Sequence, residues 1–282
     1  MSQNFLSIYA KSFNWAGFFL SKKVYQNSSD LYDFCRTLDD IVDQNLGLEI
    51  KKENFKKFKN DFLNKNLENP IIKKIYNLID NFDISKRIIL DLFDGVESDL
   101  KENVKFNSNK DLIIYSYRVA GTVGLMMAKI LNVKSKISFK AAIDLGIAMQ
   151  LTNIARDVIE DSKRNRYYID FNFETIVETL KLADSFYDSS FKSIKEIPFS
   201  SRFAILVARR VYREIGKEIL NKKNIDNYKN SGKIYVSNFS KINQTFLSIL
   251  DLIKLIFVKT DEHLRKDEHD IINKQINLNE RI

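Results

Sequence analysis

Only two prolines, Pro70 and Pro198, and eight glycines interrupt 282 residues, and this scarcity constrains the chain more than any other feature. With so few breakers, long helices are the natural local structure and a turn-rich β fold is disfavoured. No segment alternates apolar and polar residues for long enough to predict a sheet. Apolar residues recur at helical spacing over residues 5–25, and Ser28, Ser29 or Asp30 offers a cap for a second helix. Further helices are predicted over 51–67, 84–100, 111–131, 138–162, 173–195, 200–220 and 236–258, with KENVKFNSNKD as a loop. Two glycines in AGTVGLMM would each cost about 1 kcal/mol inside a helix relative to alanine. A kink or a close backbone approach is therefore expected there. No low-complexity linker divides the chain. The prediction is one all-α domain over residues 1–260 followed by a charged tail, 261–282.

Several function classes fall away on residue usage. Cys35 is the only cysteine, so no intrachain disulfide forms and a reducing compartment is expected. The two histidines, His263 and His269, lie in the charged tail, which disfavours a histidine zinc site or a Ser-His-Asp triad. The segment MSQNFLSIYAKSFNWAGFFL lacks the basic-then-apolar order of a signal peptide, and no run of about 18 apolar residues predicts a membrane span. A cytoplasmic protein is expected. Its net charge of +8 suits an anionic partner. The lysines are spread along the chain rather than clustered with aromatics, so no nucleic-acid partner is predicted.

Against that positive background, DLYDFCRTLDDIVDQ (residues 30–44) crowds carboxylates together. Asp39 and Asp43 are four apart and share a helix face with Arg36 and Tyr32. Asp40 is rotated about 100° from Asp39, which makes it a supporting residue. A solvated acidic face explains such a string as well as a metal site does. A second stretch, QLTNIARDVIEDSKRNRYY, sharpens the choice. Gln150, Asn153, Asp157 and Asp161 project from one face, with Arg156 beside them. They follow the largely apolar AAIDLGIAMQL, so the polar stripe is expected to be buried, and buried carboxylates need a cation. Two helices each offering an Asp pair beside an arginine suit Mg²⁺ bridging to phosphate, with Arg36 and Arg156 gripping phosphate oxygens. Such a constellation fits ionisation of a diphosphate leaving group.

With KSF (residues 11–13), LYDFCRTLDDIVD, YSYRVAGTVGLMM and AIDLGIAMQLTNIARDVIED followed by RNRYYI, in that order, the sequence resembles the squalene/phytoene synthase family over nearly its whole length. The third and fourth pieces most resemble bacterial phytoene synthases. The resemblance implies an all-α isoprenoid-synthase fold around a central cavity, with two aspartate-rich helices facing across its mouth. It implies Asp39 and Asp43 as Mg²⁺ ligands from one side, and Asn153, Asp157 and Asp161 from the other, with Mn²⁺ as an alternative metal. Lys11, Ser12, Tyr32, Arg36, Gln150 and Arg156 match positions that hold diphosphate. Tyr115 matches a tyrosine that assists proton handling, and Tyr212 a phosphate-contacting tyrosine.

The reaction implied is head-to-head condensation of two geranylgeranyl diphosphates through a cyclopropyl diphosphate to phytoene, in carotenoid synthesis and without NADPH. The alternatives are squalene, dehydrosqualene or presqualene diphosphate synthesis from farnesyl diphosphate, and a non-catalytic lipid-binding or assembly protein on the same fold. Relatives of the last kind tend to lose the aspartates, which are retained here. Gly17, five residues after Ser12, leaves room for a long chain and favours the geranylgeranyl substrate. Phe13, Trp15, Phe18, Phe19, Phe34 and the GLMM stretch are candidates for a π-rich cavity wall, though for any single aromatic plain core is the favoured reading. A hydrocarbon product implies hand-over to a downstream carotenoid enzyme. It also raises a peripheral contact with the inner face of the membrane through residues 233–259, which otherwise read as the last core helix. Two departures concern loops: SKKVYQNSSD lacks the family's Pro and Arg, and NRYYID keeps Arg166 and Tyr168 but not the usual Gly and Pro.

Overall fold

A computed structural model describes residues 11–259 and 262–282, with side chains from Asn14 onward. The expected roles of Lys11, Ser12 and Phe13 lie outside the described side chains. Helices dominate, as expected: α1 (Lys11–Gly17), α2 (Lys22–Asp43), α3 (Leu48–Leu63), α4 (Pro70–Phe82), α5 (Lys86–Glu97), α6 (Asn109–Ser116), α7 (Thr122–Ile130), α8 (Lys136–Ser162), α9 (Phe173–Phe191), α10 (Phe199–Leu220), α11 (Ile225–Asn230), α12 (Asn238–Phe257) and α13 (Lys266–Asn273).

Several elements differ from the sequence prediction, among them the helix expected over 51–67, which spans Leu48–Leu63, and α11, which was not expected. The first helix stops at Gly17, and Ser21 caps α2 by accepting from the Val24 amide, so Ser28, Ser29 and Asp30 lie inside a helix. Helix α4 was not predicted, yet its start carries a plain signal: Asn69 accepts from the Ile71 amide and Pro70 occupies the first turn. The loop after α5 contains a two-residue strand, β1 (Val104–Lys105), paired in parallel with β2 (Arg166–Tyr167). Such short strands leave no room for the alternation that betrays a sheet.

The kink and the close approach expected of the glycines both occur. A π-helical turn, Tyr117–Gly121, joins α6 to α7. A Cβ on Gly124 would meet the Ala142 carbonyl oxygen at 2.2 Å, and one on Gly146 would meet the Ala120 oxygen at 2.2 Å. Only glycine lets α7 and the turn before it lie this close to α8. Helix α8 is thereby wedged among α7, α9 and α10, and is mostly apolar over residues 138–149 because it is buried there. Within the same core, Phe34, Phe55, Phe58, Phe62 and Phe93 pack together from α2, α3 and α5.

The segment expected as a charged tail folds back onto this body. His263 and His269 are buried, and each Nε2 lies 2.7 Å from a different oxygen of Asp144, in the middle of α8. Ser189 Oγ donates to the same carboxylate at 2.6 Å. Burial opposes the charge of Asp144, but the bonds from His263 and His269 outweigh it and hold the carboxyl below its ordinary range. With both Nε2 atoms protonated, the imidazoles and Ser189 put three donors on this carboxylate, while both Nδ1 atoms are buried without a hydrogen-bond partner among the described residues. Farther on, Arg281 forks onto Asp91 at 2.9 and 3.0 Å, and Asp91 also accepts from Tyr117 in the π-helical turn.

Candidate active site

A cavity of about 1100 Å³ opens between α2, α7, α8 and α10. Its lining changes character along α8. Ala141, Ala142, Leu145 and Met149 face it first, followed by Gln150, Asn153, Arg156, Asp157 and Asp161. At 1.5 Å per residue this apolar-to-polar gradient spans about 30 Å. The aromatic part of the wall is tyrosine, including Tyr32, Tyr115 and Tyr212. Among the described residues no phenylalanine or tryptophan lines it. Phe34 belongs to the buried cluster above, Phe18 is exposed, Phe19 stacks on Phe203, and Trp15 donates to Thr245. Of the predicted wall, Gly124 and Met127 of GLMM remain, joined by Gly17.

One polar wall comes from α2. Tyr32, Arg36, Asp39, Asp40 and Asp43 all line the cavity. Asp40 pairs with Arg36 at 2.6 Å, the supporting part expected of it. Asp43 accepts from Arg166 Nη1 at 2.9 Å and lies 3.5 Å from Arg164. Among the described residues none hydrogen-bonds the Asp39 carboxylate. Asp39 is exposed, but onto the cavity rather than open solvent, so the surrounding protein still penalises its charge. Burial, then the charge of Asp43, push its carboxyl up to about 7, with Arg36 pulling the other way.

The opposite wall is the last turns of α8. Asp157 departs from helical geometry (φ −105°, ψ 16°), which breaks the regular spacing from Asn153 to Asp161. Arg156 grips Asp157 with two bonds of 2.8 and 2.5 Å, and Lys233 lies 3.3 Å from it. Burial disfavours the Asp157 charge, but Arg156 and Lys233 overcome it and hold the carboxyl below its usual range. Asp161 has no such partner among the described residues. Burial and the charge of Asp157 push it up to about 7, against the pull of Arg166. Tyr212 of α10 is buried on the same cavity. Its phenol is raised to about 12 by burial, with Arg156 opposing, so it remains a donor.

The strand pair supplies a third wall that the sequence reading missed. β1 and β2 hold Arg166 and Tyr168 over Asp99, two residues past the end of α5. The hydroxyls of Tyr115 and Tyr168 each lie 2.8 Å from an Asp99 oxygen and 2.9 Å from each other, with the rings stacked at 4.8 Å. Burial raises the Asp99 carboxyl despite Arg166, and it raises both phenols well above their usual range. Both tyrosines are therefore proton donors at rest. Asp99 adds charge to Asp39 and Asp161 alike.

The donor set suits a hard divalent cation. Carboxylates from two helices face one cavity, and two of them are kept from ionising freely by burial and mutual repulsion. Asn153 Oδ1 is buried with no hydrogen-bond partner, a cost that a cation would remove.

Comparison with known proteins bears directly on this geometry. A model of the squalene/phytoene synthase family matches residues 7–169, more than half of the chain. The chain belongs to that family. It is 28% identical over 247 residues to a 15-cis-phytoene synthase of Pantoea ananas, covering 76% of this chain and 80% of the relative. It is 28% identical over 265 residues to the chloroplastic phytoene synthase 1 of Solanum lycopersicum, covering 83% and 63%. Among solved structures, a dehydrosqualene synthase in complex with ligand superposes with a TM-score of 0.76 at 25% identity, covering 89% of this chain and 94% of that one. A squalene synthase from Alicyclobacillus acidocaldarius has the same fold at 16% identity, TM-score 0.66, covering 77% and 90%. The fold is thus the isoprenoid-synthase fold, and this member of the squalene/phytoene synthase family is a prenyltransferase-type enzyme that uses a prenyl diphosphate.

Proposed function

We propose that this enzyme joins two geranylgeranyl diphosphates head to head, through a cyclopropyl diphosphate, to form phytoene. The observation that carries this reading is a single cavity with acidic and basic walls at one end of α8 and aliphatic walls at the other. Its volume lies above the usual range of about 300–1,000 Å³ for small-molecule pockets, which suits two long chains better than one. The phytoene synthase relatives support the same product.

In this reading Asp39, Asp43, Asn153, Asp157 and Asp161 hold Mg²⁺ or Mn²⁺. The metal supplies positive charge to the departing diphosphate. Arg36, Arg156 and Lys233 bind diphosphate oxygens, and Gln150, Tyr32 and Tyr212 donate to them. Arg36 and Arg156 rest on Asp40 and Asp157, so substrate binding exchanges one anionic partner for another rather than uncovering a bare cation. The aliphatic walls keep water from the allylic cation. When the final proton leaves carbon, Tyr115 Oη takes it as its own proton passes to Asp99. No reductant enters this scheme.

Purified protein with Mg²⁺ and geranylgeranyl diphosphate should yield phytoene without NADPH. Gly17→Phe, which fills the cavity wall where Gly17 lies, should lower turnover of the twenty-carbon substrate more than that of the fifteen-carbon one. Unchanged twenty-carbon turnover in that variant would remove the chain-length argument. A second reading is a farnesyl diphosphate enzyme, supported by the dehydrosqualene synthase superposition. Activity with farnesyl diphosphate alone would favour it.

A further inference from the structure

Helix α12 is amphipathic the wrong way round. Its buried positions are Lys241, Gln244, Ser248, Asp251 and Leu255, a mostly polar stripe at spacings of three and four. That stripe is bonded into the body. Asp251 takes a two-pronged contact from Arg210 at 2.5 and 2.8 Å, and Gln244 donates to Glu214 at 2.8 Å. The opposite stripe, Phe239, Ile242, Phe246, Ile249, Ile253 and Phe257, has the same spacing and is exposed, with Phe239 and Phe257 each 82% exposed. At 1.5 Å per residue it runs for about 27 Å. An apolar face of this length on one side of a protein marks an interaction surface.

Charge and position say what covers it. From residue 231 to 259 the only carboxylate is Asp251, which is buried, while Lys254 and Lys259 are exposed. Lys195 donates to the Ile256 and Val258 carbonyls at the end of the helix. An anionic lipid surface complements these cations. The face also adjoins the cavity at two places. Tyr235, one turn before Phe239, is 65% exposed and lines the cavity, and Gly17 lines it directly before Phe18, which is 84% exposed. Trp15, on the same turn as Gly17, is hydrogen-bonded to Thr245 of α12. Among the described residues no helix is long and apolar enough to cross a membrane.

We propose that α12 lies flat in the interface of an anionic lipid bilayer, with its polar stripe bonded to the enzyme and its apolar stripe among the acyl chains. Prenyl chains then pass between bilayer and cavity at the Tyr235 and Phe18 edges. That last step rests on the prenyl reading above, but docking itself is measured without substrate, so each fails separately.

The test is flotation of the full chain with vesicles of phosphatidylcholine, with and without a quarter of phosphatidylglycerol. Wild type should float with the anionic vesicles, less so at high salt. The triple variant Phe239→Ser, Phe246→Ser, Phe257→Ser should lose about tenfold or more of that partitioning. Its Tm and its turnover of detergent-dispersed substrate should not change, because these rings touch neither core nor cavity. The proposal is overturned if wild type binds neither vesicle or if the variant binds as well as wild type. It is equally overturned if the substitutions split a dimer or lower Tm by several degrees, since a second copy or this chain itself would then cover the face.

Discussion

Asp144 and the pair Asp39 and Asp161 pose the same physical problem and meet it differently. Asp144 is wholly buried, yet its carboxyl lies below the ordinary range because two imidazoles and a hydroxyl bond it. Asp39 and Asp161 border a cavity, have no such donors among the described residues, and are pushed up to about 7. A carboxylate that the chain satisfies by itself holds structure together. One left unsatisfied across from others of its kind is set for something the chain does not contain.

The largest effect should come from the unsatisfied side. Asp39→Ala or Asp161→Ala should lower diphosphate release from a prenyl diphosphate by about a hundredfold to a thousandfold. Unfolding midpoints in metal-free buffer should stay level or rise, since repulsion is relieved. Near wild-type release in either variant would break the two-walled metal reading. Next comes the satisfied side. His269→Ala removes a buried ring and a donor to Asp144, and should cost about 3 kcal/mol in urea unfolding. A loss below about 1 kcal/mol would show that Asp144 does not depend on it.

The smallest effect separates the two regions by pH. Asp39 and Asp161 have raised folded values, so their contribution to stability is whole below the ordinary 3.8 and is lost as pH rises through about 7. His269 is lowered by burial, against the pull of Asp144, so its contribution is whole above the ordinary 6.5 and is lost as pH falls below it. Without metal the two slopes oppose each other. Added Mg²⁺ should therefore raise Tm by a few degrees, and more at pH 8 than at pH 6. An equal rise at both would uncouple the metal from these carboxylates.

Much of this was legible in the sequence, for a reason that also explains the gaps. Asp39, Asp43, Asn153, Asp157 and Asp161 sit on two long helices, where the 3.6-residue period turns spacing into geometry. Asp99, Lys233 and Tyr235 reach the cavity from loops or a helix end, where spacing carries no such rule. Asp99 gains its place only through a strand pair two residues long. The α12 stripe was visible as a helix, but which face turns inward depends on Arg210 and Glu214, on another helix. The histidines were misread because their segment is charged. The clue lay elsewhere, in a lone aspartate inside AAIDLGI, which had to find donors somewhere in the chain. Trp15, Phe19 and Phe34 lie off the cavity, in keeping with the reading of such residues as core rather than wall, and tyrosines supply its aromatic faces.

The separation in sequence between Asp144 and its histidines has a consequence for synthesis. The donors arrive 119 and 125 residues after the carboxylate, and Arg281 follows its partner Asp91 by 190. On the ribosome, α8 emerges with its catalytic end complete in sequence but with a naked acid in its middle. Until the later residues emerge, that acid lacks two of its three partners, and burying the helix carries the cost of an under-bonded carboxylate. A nascent chain stalled after α12 would carry every expected metal ligand and yet leave this acid short of both imidazoles.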